Sequence, residues 1–117
     1  MSKKGKFTVD IKSTIKDYLK EVITPLENLL VSVDDRGFLY EIDRYEALLL
    51  LEYNPRPVPI LNILKLIALG EDTKLSDGYI DAARQFLNIR SELKKDLPEV
   101  DTLLRYVKRV KEALKKM

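Results

Sequence analysis

Apolar residues recur every three or four positions along most of the chain, the period of helices that bury one face. Asp10 is placed to cap a first helix, in which Ile11, Ile15, Tyr18, Leu19, Val22 and Leu26 form one stripe. Pro25 falls inside that pattern and predicts a break near Thr24, followed by a second short helix to about Val33. Asp34-Asp35-Arg36-Gly37 then reads as a turn, because glycine supplies the positive φ that such turns need. A helix over residues 40–53 follows. Its run Leu48-Leu49-Leu50-Leu51 is apolar most of the way round and predicts a central, buried element.

Asn54-Pro55-Arg56-Pro57 stops that helix, and residues 56–89 read as a helical hairpin. Pro57 and Pro59 suit the approach to a first helical turn, where a missing N–H costs nothing. Ile60, Leu61, Ile63, Leu64, Ile67 and Ala68 line one face of the first hairpin helix, which Gly70 ends. After a polar turn, Ser76 is a plausible N-cap, and Asp77 suits the positive end of the next helix. Ile80, Ala83 and Leu87 recur at helical spacing, with Phe86 alongside. Ser91 is placed to cap a short segment through Lys95, and Pro98 suits the first turn of a last helix. In that helix Val100, Leu103, Leu104, Val107, Val110 and Leu114 give a stripe at spacings of three and four. The pattern predicts an all-α single compact domain of five to seven helices with short connections, residues 10–117, behind a flexible basic lead over residues 1–9.

Composition narrows the chemistry. The chain of 117 residues contains no cysteine and no histidine, which removes disulfides, thiolate metal sites, the cysteine nucleophile and the commonest general base. Lys/Glu-rich, cysteine-free usage is compatible with a thermophile. A net charge of +2 says nothing about nucleic acid, but its distribution does. From Arg105 to the C-terminus there are six Lys or Arg residues against one Glu. No apolar run approaches the roughly 18 residues needed to span a membrane. The N-terminus lacks a signal-peptide core, so the expected location is cytoplasmic.

No phosphate-loop, dinucleotide, zinc or calcium motif is present, and all four glycines are isolated. Acidic pairs such as Asp34-Asp35, Glu71-Asp72 and Glu41/Asp43 have the spacing of solvated turns and helix faces, not of carboxylates converging on a metal. Two polar regions stand out. Around the hairpin turn, Lys74, Ser76, the helix N-terminus, Tyr79 and Arg84 are close enough in sequence to converge on a phosphate, as free N–H groups and the helix dipole favour anions. In the last helix, Arg105, Lys108, Arg109 and Lys111, with Lys115 and Lys116 beyond them, form a basic arc able to follow a nucleic-acid backbone. Against these stand the plain alternatives: an ordinary turn, and a solvated amphipathic helix.

The hairpin also carries a resemblance. Proline, an apolar helix containing Asn62, Gly70-Glu71, a polar turn and an Ala-rich helix ending Phe86-Leu87-Asn88-Ile89 resemble the C-terminal domain of the large subunit of archaeal and eukaryotic DNA primase. The likeness covers roughly a third of the chain. In that family a cysteine at the start of the first helix ligates a [4Fe–4S] cluster; here Pro59 stands at that position. The chain is therefore similar to the cluster-free, noncatalytic third primase subunit of crenarchaea. The resemblance implies no cofactor, ATP or another NTP as a ligand, and no catalysis by the chain itself. It implies a heterotrimer with the catalytic and large primase subunits, acting on the initiating nucleotide and the template DNA or primer. The family's nucleotide-contacting arginine is matched here by Tyr79, with Lys74 and Arg84 as nearby cations off the matched positions. The alternative from the residues is a small helical adaptor or DNA-binding regulator acting as a homodimer.

Overall fold

The computed structural model describes residues 2–33, 37–53, 60–70 and 77–117. Five helices account for most of them: α1 (Ser2–Ser32), α2 (Glu41–Glu52), α3 (Ile60–Leu69), α4 (Asp77–Leu93) and α5 (Val100–Lys115). No strand occurs among the described residues, and the fold is all-α. The one β-like feature among them is a single antiparallel bridge between Phe38 and Glu99.

α1 departs from expectation twice. It starts at Ser2, not at an Asp10 cap, and it runs through Pro25 without the break expected near Thr24. Proline inside a helix removes one N–H and costs about 3 kcal/mol. Here Val22, Ile23, Leu26 and Leu30 are buried on both sides of it, and their packing holds the helix in one piece. α1 packs on α5 and α2.

α2 is the second correction. Only Ala47 and Leu51 are buried; Leu48 and Leu50 are half-buried and Leu49 is exposed. Four consecutive leucines turn through about 300° of a helix, so in a helix packed on one side one of them must face outward. α2 is peripheral. The central helix is α4, which packs against α2, α3 and α5 and buries Ala82, Ala83, Phe86, Ile89 and Leu93. Phe86 meets Tyr18 of α1 edge-on, ring centroids 5.6 Å apart and planes at 62°. The Tyr18 hydroxyl donates to the carbonyl of Leu51, which ties α1 to α2.

The helical hairpin forms as the pattern predicts, with α3 packed against α4. Ile60, Leu64 and Ile67 are buried, and Gly70 closes α3 at φ +72° with its N–H donating to the Ile67 carbonyl at 2.9 Å. Such a left-handed C-terminal residue is where glycine is favoured. The preceding prolines and Asn54–Arg56 lie outside the described residues. α4 continues past the expected end near Ile89, so Ser91 lies within it and caps nothing. Buried Ile89 and Leu93 extend the apolar stripe through a stretch without glycine or proline. Pro98 precedes α5 instead of occupying its first turn; the N-cap position is Glu99. The Pro98 carbonyl is needed elsewhere, accepting from the Leu39 N–H at 2.9 Å, while the Val100 N–H donates to the Gly37 carbonyl at 2.9 Å.

The two ends of α4 are fixed differently. At its start, Gly78 is buried against α5: a Cβ there would lie 3.1 Å from the Ala113 carbonyl oxygen and 3.2 Å from the Lys116 carbonyl carbon. Both are backbone atoms, so the contact is relieved only by moving the end of α5 by a few tenths of an ångström. Gly78→Val is expected to destabilise the fold by about 1–3 kcal/mol, the usual range for overpacking. Urea unfolding followed by circular dichroism checks it; an unchanged midpoint would show that the two helix ends do not touch.

Candidate nucleotide and nucleic-acid surface

The first turn of α4, like every helix start, has N–H groups without an intrahelical partner and the positive end of the helix dipole. Its distinguishing feature is its neighbour. Because Gly78 has no side chain, the C-terminal end of α5 packs directly on this turn, and Lys116 lies beside it. The start of α4 and the C-terminal end of α5, well apart in sequence, thus meet at one end of the molecule.

Of the four residues expected at the turn, Lys74 and Ser76 lie outside the described residues. Tyr79 is half-buried and packs against the core. Arg84 is exposed, but its Nε donates to the Ala68 carbonyl at 2.8 Å, at the C-terminal end of α3. That carbonyl is one of the acceptors a helix end leaves open, and a cation suits the negative end of the dipole. Arg84 is therefore a clamp between the hairpin helices as much as a free cation.

On α5 the apolar stripe is used up in the core: Val100, Leu103, Val107, Val110 and Ala113 are buried, with Leu104 and Leu114 half-buried. Arg105, Lys108 and Arg109 are exposed on the opposite arc and take part in no ion pair among the described residues. Lys111 differs. Its ammonium lies 3.0 and 3.1 Å from the two carboxylate oxygens of Glu27 on α1. The basic face is thus Arg105, Lys108 and Arg109, without an ion-pair partner among the described residues, plus the Lys115–Lys116 end, with Glu112 among them and Lys111 paired to Glu27.

The other end of α4 carries polar contacts that the sequence did not reveal. Arg44 of α2 reaches across to the carbonyls of Lys95 (Nε, 2.7 Å) and Lys94 (3.3 Å), covering acceptors at the C-terminal end of α4. So long a separation in the chain gave no signal for it. Glu92 is buried, yet it accepts the Glu99 N–H at 2.9 Å and meets the Lys95 ammonium at 2.9 Å. Burial by itself raises the Glu92 carboxyl; the Glu99 N–H and Lys95 outweigh it and hold the group below its ordinary value. The hydrogen bond to Glu92 raises Lys95 correspondingly.

Since the folded Glu92 value lies below the unfolded one, its contribution is present above the ordinary carboxylate value of about 4.3 and is lost as pH falls through the folded value. Glu92→Gln keeps an acceptor for the Glu99 N–H but loses the charge. It is expected to cost about 1.5 kcal/mol near pH 7, at the low end for hydrogen bonds to charged groups, and nothing below the folded pKa. Unfolding of both proteins between pH 7 and pH 3 tests this. A gap that stays constant with pH removes Glu92 from the account.

Among the described residues no group of three His, Cys, Asp or Glu side chains is arranged to hold a metal ion. No helix there is long and apolar enough to cross a membrane. No family model matches the chain, and neither a curated protein nor a solved structure matches it.

Proposed function

We infer that the chain is a noncatalytic binding subunit that assists primer initiation within a DNA primase, similar to PriX, the cluster-free third subunit of crenarchaea. What supports the reading is the resemblance of the hairpin sequence, together with one geometric observation: the first turn of α4 abuts the basic end of α5 at Gly78. In this reading a triphosphate at the α4 N-terminus and a nucleic-acid backbone along the exposed Arg105, Lys108 and Arg109 are linked by the contact of α4 with the C-terminal end of α5. Bringing a nucleotide and a template together reduces the entropic cost of the first bond, while the metal chemistry belongs to the catalytic subunit.

The experiment is reconstitution. The full chain is added to the catalytic and large primase subunits, and association and dinucleotide synthesis are both measured. Co-purification with increased dinucleotide yield supports the reading; no association and no change in yield overturn it. The second reading, a helical adaptor, is favoured by a different observation, the apolar outer face of α2.

A further inference from the structure

Ten large apolar side chains are exposed among the described residues, and five belong to α2 or its two caps: Tyr40, Ile42, Tyr45, Leu49 and Tyr53. Ile42, Tyr45, Leu49 and Tyr53 are 79, 62, 51 and 71% exposed. Their spacings of three, four and four residues put them on one line along the helix. Two tyrosines, an isoleucine and a leucine in one unbroken stripe are more than singly scattered surface apolar residues. Beside the stripe runs a groove between α1 and α2, lined by Pro25, Leu29, Leu49 and Leu50. Pro25 and Leu29 therefore add apolar wall to a surface that the stripe alone would leave flat.

Charge decides the occupant. At about 100° per residue, Glu46 falls on one flank of the stripe, and Glu41 and Glu52 on the other. All three are exposed; Glu46 also borders the groove, while Glu52 shares its charge with Arg90 at 3.4 Å, so Glu41 and Glu46 are the open acidic flanks. A two-fold pairing with a second copy would bring these acidic flanks together, which costs affinity. An anionic lipid surface is repelled by them as well. The chain's own basic helix is no candidate, since the apolar face of α5 is buried in the core. An amphipathic helix whose apolar seam is flanked by Lys or Arg satisfies both the stripe and its rim. α2 spans about 18 Å, enough for three turns of such a helix.

We propose that the outer face of α2, with the α1–α2 groove, docks an amphipathic, basic-flanked helix of a partner protein. α2 meets the C-terminal end of α4 through Arg44 and the Arg90–Glu52 pair at 3.4 Å, so its outer face lies away from Gly78 and the nucleotide surface. The inference therefore stands without the primase reading.

Two synthetic 21-residue helical peptides with the same leucine seam test it, one flanked by lysine and one by glutamate. Each is titrated into the ¹⁵N-labelled full chain while amide shifts are recorded. The lysine peptide is expected to bind saturably, at least tenfold more tightly than the glutamate peptide, with shifts confined to α2 and the neighbouring turns of α1. Tyr45→Asp/Leu49→Asp abolishes the shifts with helicity unchanged. Glu41→Lys/Glu46→Lys reverses the preference and serves also if the first variant does not fold. Equal binding of the two peptides, shifts elsewhere, or no binding overturns the proposal. So does a concentration-dependent dimer in sedimentation equilibrium that Glu41→Lys/Glu46→Lys leaves intact.

Discussion

Phe86→Ala is expected to remove about 3–5 kcal/mol of stability, the range for truncating a buried phenylalanine. Domains of this size are stable by about 5–15 kcal/mol, so the variant is left marginal or unfolded at room temperature. Phe86 is completely buried on the central helix and stacks edge-on against Tyr18 of α1, so its loss empties the space where α1 and α4 meet. Helix propensity alone predicts the opposite sign, because alanine is the better helix former. Chemical denaturation followed by helical circular dichroism separates the two. Leu49→Ala on the exposed side of α2 is the control and is expected to change stability by less than about 0.5 kcal/mol. A Phe86→Ala midpoint as close to the parent as that of the control would mean that the core lies elsewhere.

The second large effect is on binding. Arg105→Glu/Lys108→Glu/Arg109→Glu replaces three exposed cations that have no ion-pair partner among the described residues, and single-stranded oligonucleotide affinity is expected to fall at least tenfold at low salt. Every phosphate that is no longer neutralised also makes log affinity less steep against log salt, by about 0.7 for single strands. Lys111→Ala is expected to do far less, because its ammonium is already committed to Glu27. Fluorescence anisotropy across a salt series measures both. A parent protein whose affinity does not change with salt contradicts the assignment outright.

The sequence pattern marked the helices well wherever apolar residues repeat over three turns or more. The buried stripe of α5 and the α3–α4 hairpin follow it closely, including Gly70 as the residue that ends α3. It failed where a local rule met long-range packing. Pro25 and Ser91 read locally as a break and a cap, yet both lie inside helices because buried residues on either side continue the stripe. The leucine run of α2 suggests depth, although a helix with one packed face must leave part of such a run outside. The exposed basic arc of α5 was legible from spacing alone. The contact of α4 with α5 at Gly78, the Lys111–Glu27 pair and the Arg44 clamp join residues far apart in the chain, and periodicity carries no information on such pairings.

The central claim is that one end of the molecule, where α4 begins and α5 finishes, binds a nucleotide. Titrating ATP into the ¹⁵N-labelled full chain and following the amide resonances tests it directly. Saturable shifts at Gly78, Tyr79 and Lys116, reduced by Lys115→Glu/Lys116→Glu, are the predicted result. Amides at this end that do not move at any ATP concentration, or that move equally in the charge-reversed variant, contradict it.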